Sequence, residues 1–348
     1  TVSTGAFTIP MMKKAGFRPH IAGGIEPAAS ISGMFMPPIM GAGGFIMAEL
    51  TGVPYSKIML VAIFPAVMYV FSVFIMVHYE AKKYNIKGEK SEHSAMQILK
   101  TEWYYIMPLV IITILMLYGF SPGYSAILGI VTCLIVSWFK KDTRITPKRF
   151  VEASRAGAEN SLKIGATVGV IGIIIGVLTY SGLVLTFADI VIELAGGSLV
   201  LTILFIALAS LVLGMGVPVT AAYLITAVVA VPALIHLGVN EIAAHMIVYW
   251  LSQDSNITPP VCIAAFAGAT IAKANMWRTA FASFKFAKFL YLGPFLFGYV
   301  PGFSLNGSAW DIIKAFVLII LGTYAYSWFL SGIWIKPLKG MFTKAPAN

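Results

Sequence analysis

Ser252, Asp254, Ser255, Asn256 and Thr258 stand together in an otherwise apolar stretch, Gly238 to Ala274, and Pro259-Pro260 follows them. The stretch is long enough to cross a bilayer. Polar, irregular backbone at that depth is tolerated only when protein buries it or when it lines a cavity. Half-helices that end there leave carbonyls and amides free, which is how secondary transporters hold ions and substrates near the midplane. A carboxylate in hydrocarbon is expensive unless paired. Asp254 therefore either meets a cation or caps the next half-helix by accepting its amides.

An earlier stretch, 19–50, repeats the pattern: Ser30, Ser32 and Gly33 interrupt it and Pro37-Pro38 follows. No acid lies in this break, so carbonyls and hydroxyls must supply its chemistry. Each break has a polar, glycine-bearing run upstream, Ser3-Thr4-Gly5 for the first and Gly214, Gly216 and Thr220 for the second. Hydroxyls in membrane helices ordinarily bond neighbouring helices; only their clustering at breaks favours ligand binding. Glu26, about one turn before the first break, could serve an ion, a proton or a substrate amine, or pair with a buried base. Glu49 is expected in solvent. His20 and His245 could carry protons or be structural. Cys133 and Cys262 lack metal-ligand spacing and are read as small packing residues.

Spans must position these groups. The chain has 348 residues, 59% hydrophobic and 11% charged, with mean hydropathy +0.87. It is an all-α polytopic membrane protein by composition. The net charge of +10 lies in short loops, where it sets topology and calls for no nucleic acid. Spans are expected at 56–79, 102–119, 123–139, 281–300 and 311–334, while a polar helix from Pro147 runs into the apolar segment 164–182 and residues 164–213 together make one net crossing. Polar loops are expected at 80–100 and 140–155, and a hairpin at 214–235 behind the apolar run 198–213. Residues 183–196 carry Asp189 and Glu193 four apart, which suits a helix lying at the interface. Basic loops, with Lys90 among them, and the tail lysines Lys336, Lys339 and Lys344 place the C-terminus in the cytoplasm. The two broken stretches then run antiparallel.

Antiparallel broken helices suggest an inverted repeat. Laying Pro37 on Pro259, an offset of 222 residues, also matches Pro10 with Pro232, Gly16 with Gly238, Ala22 with Ala244 and Ile25 with Ile247. Ser30, Pro38 and Ala42 then fall on Ser252, Pro260 and Ala264. Average residue usage predicts about two or three identities over such a window. Shared apolar composition explains the Ile and Ala matches but not four Pro and Gly positions in one register. Residues 1–15 then correspond to the returning arm of the later hairpin, and the front of the first repeat is expected upstream of Thr1.

The segments TGAFTIPMMKKAGFRPHIAGGIEPAASISGMFMPPIMGAGGFIMAE and GMGVPVTAAYLITAVVAVPALIHLGVNEIAAHMIVYWLSQDSNITPPVCIAAFAGATIA resemble the large membrane subunit of TRAP transporters, most of all the fused permeases of the TAXI type. The usual glycine-glutamine before the first Pro-Pro is absent; Gly33-Met34-Phe35-Met36 stands there. The resemblance implies a sodium-coupled elevator importer in a bacterial or archaeal cytoplasmic membrane. Sodium ions are its coupling ions and no cofactor is implied. Its partners would be a periplasmic substrate-binding protein, an organic-acid substrate and a small four-helix membrane subunit, separate or fused upstream. The transport domain would combine 1–50 and 214–274, with scaffold at 51–163, arm helices at 164–213 and terminal spans at 275–348. A proton- or sodium-coupled elevator carrier without a binding protein is the alternative. An intramembrane enzyme finds no support, because no HExxH or G-x-S-x-G motif is present.

Overall fold

The computed structural model describes residues 1–87 and 94–334; Lys90 and the tail lysines lie outside them. α1 (Val2–Lys14) turns at Gly16, whose φ of +108° suits glycine. α2 (Pro19–Ser30) begins on a proline, already set in helical φ. A 3₁₀ turn at Ile31–Met34, a cis Pro37-Pro38 bond and a left-handed Met40 then separate it from α3 (Gly41–Thr51). α4 (Tyr55–Tyr84) runs unbroken for 30 residues.

The polar loop expected at 80–100 is helical at both ends. α4 continues to Tyr84, and α5 (Ala95–Glu102) starts at a capping box in which Ser94 and Gln97 satisfy each other's backbone amides. α6 (Met107–Leu117) and α7 (Pro122–Ser137) form an antiparallel pair whose ends are clamped by Lys140 and Glu102, 2.6 Å apart. α8 (Pro147–Tyr180) is capped by Thr146. At Ser181–Gly182 the chain bends by 78° into α9 (Leu183–Leu194), which exposes Asp189 and Glu193 and packs on the helix after next.

α10 (Leu199–Leu213) and α11 (Val219–His236) make a hairpin through Gly214–Pro218. Its entering arm is thus the apolar run 198–213. α12 (Glu241–Leu251), a 3₁₀ turn at Asp254–Asn256, a cis Pro259-Pro260 bond and a left-handed Cys262 lead to α13 (Ile263–Ala272). The span expected at 281–300 begins earlier, capped by Asn275, and is divided into α14 (Met276–Phe286) and α15 (Phe289–Tyr299). α16 (Ala309–Ser331) closes the described chain. Cys262 is buried, whereas Cys133 is exposed on α7.

Among the described residues every regular element is helical, and five helices are long and apolar enough to cross a membrane, six if α8 and α9 count together. The chain is an all-α polytopic membrane protein. Its inverted repeat is visible in the element bounds. Shifting by 222 carries the end of α1 onto the end of α11, the starts of α2 and α3 onto those of α12 and α13, and Met40 onto Cys262. The cis proline pairs coincide in the same register. α4 corresponds to α14 and α15 together, and Pro65 of α4 falls on Ala287, where the later span divides.

The two repeats meet around Trp250, which is buried against Phe35 of the first break, ring centroids 4.6 Å apart, and against Tyr69, Phe289 and Phe297 edge-on. Such aromatic clusters fix relative positions as well as burying area. α2 and α13 cross where Gly23 and Gly268 leave no room for side chains. The two broken helices are one packed unit.

Candidate functional site

At the first break the polar groups gather one turn early, on Glu26. Its carboxylate is buried, yet no base pairs with it among the described residues. Oε1 accepts hydrogen bonds from the hydroxyls of Thr4 and Ser30, and Oε2 from Thr8 at 2.5 Å. α1 supplies both threonines, and Gly5 lets it approach: a Cβ there would lie 3.2 Å from Glu26 Cγ. Of the residues expected here, Thr4, Gly5 and Ser30 come together. Ser3 lies on the exposed face of α1, Gly33 is exposed, and Ser32 donates back to Ala29 O at the end of α2.

At the second break Asp254 is buried and its Oδ1 has no hydrogen-bond partner; the same holds for Gln253 Oε1 beside it and Ser210 Oγ on α10. Asp254 does not cap the following half-helix. α13 starts only at Ile263, after Cys262, with no side-chain cap. Gly214 brings the hairpin tip onto the break, since a Cβ there would meet Ser255 Oγ at 2.7 Å. Thr258 is tied to Tyr291 Oη at 2.5 Å and Asn256 Nδ2 donates to Gln253 O. Ser252 donates to Val248 O within α12. Gly216 is an exposed turn residue at φ +77°, and Thr220 is half-buried near the start of α11. His245 is occupied structurally, its Nδ1 2.8 Å from Tyr223 Oη on α11.

The breaks share a cleft of about 230 Å³. Ser30, Ile31 and Met34 line it from the first break and Asn256 and Ala264 from the second, with Val219 from the hairpin. None of these is charged, so an anion there would meet amide ends, hydroxyls and the Asn256 side chain. Oxygen is the hard ligand type on offer among the described lining residues, beside the Met34 thioether. Among the described residues no three His, Cys, Asp or Glu side chains cluster, and a hard cation would be held by carbonyls, hydroxyls and at most one carboxylate per break.

The sequence profile described as "Tripartite ATP-independent periplasmic transporter, DctM component" matches residues 1–303. The chain belongs to this family. As a DctM-family protein with several apolar helices it is a multi-pass protein of the inner membrane. A Haemophilus influenzae protein whose name places it among TRAP transporter large permeases is 26% identical over 268 residues, 75% of this chain and 61% of the relative. An uncharacterized protein of Sinorhizobium fredii, y4mL, is 23% identical over 286 residues, 79% of this chain and 66% of the relative. The chain thus spans less than two thirds of the length of either relative.

Several residues around the two breaks have no counterpart in the sequence analysis. Thr8 completes the Glu26 cluster. Tyr69 and Tyr291, themselves 222 residues apart, each bond a broken helix from the span that follows it, to Ala28 O and to Thr258. Extending the repeat alignment past the Ala42–Ala264 match would have found them. Tyr249 had no such signal, because its counterpart is Pro27. Its hydroxyl lies 2.6 Å from both Met34 O and Met40 O, so α12 of one repeat holds the break of the other. Tyr249→Phe leaves these two carbonyls without that donor, at about 1–3 kcal/mol. The expected result is a lowered melting temperature together with weakened substrate affinity in uptake, whereas Tyr223→Phe, which touches neither break, alters stability alone.

Proposed function

We propose that this chain is the core of the permease subunit of a secondary active importer, working with sodium as coupling ion on an organic acid, a dicarboxylate or amino acid. The observation that carries the reading is the shared cleft: two broken helices and the start of α11 meet there, and no charged side chain lines it. Its volume suits a small metabolite better than a drug-sized ligand. Family membership supports a secondary-transport role, a periplasmic substrate-binding protein that delivers substrate, and a small membrane subunit, separate or fused as in TAXI-type permeases. Sodium is read from the hydroxyl, carbonyl and carboxylate oxygens gathered at the two breaks.

The transport body would be 1–50 and 214–274, moving as an elevator against scaffold at 51–163 through arm helices at 164–213, with terminal spans at 275–348. The packing of α14 on α2 and of α15 on α12 favours carrying both of them with the moving body. The orientation proposed from the basic loops puts the ends of α4 and α16 on the cytoplasmic side.

The test is uptake in proteoliposomes of the full-length protein, with its binding protein, under an imposed sodium gradient. Accumulation that requires both supports the reading. Accumulation driven by a pH gradient without binding protein would replace it with a proton-coupled elevator carrier of the same architecture.

A further inference from the structure

The walls of the shared cleft narrow the substrate further, a step that rests on the importer reading above. Ser30 and Asn256 are the polar side chains that the two breaks set on those walls. Ser30 has one hydrogen and gives it to Glu26 Oε1 at 3.2 Å, so toward a solute its oxygen can only accept. Asn256 turns its Nδ2 to Gln253 O at 3.4 Å, and its Oδ1 accepts from no described donor. Both side chains are short of a donor. An ammonium brings three.

Acids stand behind these groups. Glu26 is buried behind Ser30, and Asp254 is buried two residues from Asn256. No lysine, arginine or histidine lines the space. A cation on Asp254 would balance that acid and leave Glu26. A substrate with two carboxylates would thus leave water without a positive partner for the second, which low-dielectric surroundings penalise heavily. A solute whose own charges cancel needs no such partner.

The rest of the wall is largely apolar. Ile31 and Met34 line it from the first break and Val219 from the start of α11. Ala264, also on the wall, is the second residue of α13, in the turn whose amides find no partner within the helix. The 230 Å³ of the cleft equals about eight water volumes of about 30 Å³ each, room for a solute the size of valine or leucine.

We infer that the substrate is a net-neutral α-amino acid with an aliphatic side chain. Its ammonium sits between Ser30 Oγ and Asn256 Oδ1, its carboxylate meets the amide end of α13 at Ala264, and its side chain lies on Ile31, Met34 and Val219.

The test is calorimetric titration of the purified full-length permease, in saturating sodium, with L-leucine, L-alanine, succinate and 4-methyl-2-oxopentanoate. The last keeps leucine's body and carboxylate but lacks the ammonium, and should bind at least about tenfold more weakly than leucine. Succinate should bind no better than this oxo acid. Ser30→Ala should weaken leucine by a similar factor and leave the oxo acid unchanged, whereas Val219→Phe, which fills the apolar end, should shift preference from leucine to alanine. Succinate or the oxo acid binding as tightly as leucine overturns the inference, as does wild type that binds none of the four. A loss shared equally by leucine and the oxo acid in Ser30→Ala overturns the ammonium site. Sodium-driven uptake of succinate with the binding protein removes this inference and leaves the importer standing. Absence of sodium-driven uptake of any solute strikes the importer reading instead, and the binding ratios still decide this one.

Discussion

Asp254→Asn is expected to cut sodium-driven uptake by at least about 100-fold while leaving the fold intact. The side chain is buried, its Oδ1 has no partner, and none of the described ion pairs includes it. Helix capping does not explain it, because α13 begins beyond Pro259-Pro260. A charge left so must be neutralised by something that arrives. A cation held by Asp254 with nearby carbonyls and hydroxyls does this, and removing one partner of a buried charged contact costs about 3–5 kcal/mol. Asparagine keeps the shape and deletes the charge. In sodium-free buffer the variant should therefore melt no lower than wild type. Wild type should gain stability with sodium, about 2.7 kcal/mol at a hundred times the dissociation constant, and the variant should lose that response at this site. Wild-type sodium dependence in Asp254→Asn would sink the assignment.

Backbone-directing residues carried most of what was legible in the sequence. Pro37-Pro38 and Pro259-Pro260, with Gly16 and Gly238, set the offset of 222, and the helix starts at Pro19 and Glu241, then at Gly41 and Ile263, obey it. Prolines and glycines act locally, so their meaning survives without knowledge of neighbours. Side-chain partners do not. Ser32 and Ser252 look like their clustered neighbours in sequence, but both hydroxyls turn back onto the last turn of the preceding helix. Glu26 had four readings open, and only the arrival of Thr4 and Thr8 from α1 decides that hydroxyls hold it. Tyr249 reaches across 209 positions to Met40, a link no local pattern announces. The capping box at Ser94 and Gln97 was a local signal, yet the surrounding lysines made the segment read as loop.

Gly268→Ala is expected to damage the fold itself, because the two repeats touch backbone to backbone at that point. A Cβ on Gly268 would sit 2.3 Å from Gly23 O and 3.0 Å from Pro27 Cγ. Neither can yield easily, since the first is main chain and the second a ring. A Cβ on Gly23 would in turn lie 2.9 Å from Gly268 O and 3.0 Å from Ala272 Cβ. Small residues let membrane helices approach this closely, and with little hydrophobic drive between helices in lipid, contact packing carries the association. Overpacking costs about 1–3 kcal/mol even where side chains can shift; here α13 must lift off α2, loosening both breaks at once. The expected readout is a melting temperature lower by about 5 °C or more, with purified protein losing monodispersity. Gly172→Ala on α8, where a Cβ meets nothing within 4 Å, should be neutral or slightly stabilising, as alanine favours helix over glycine by about 1 kcal/mol. Equal melting temperatures for Gly268→Ala and wild type would mean that α2 and α13 do not close on each other, and the shared cleft would lose its geometric basis.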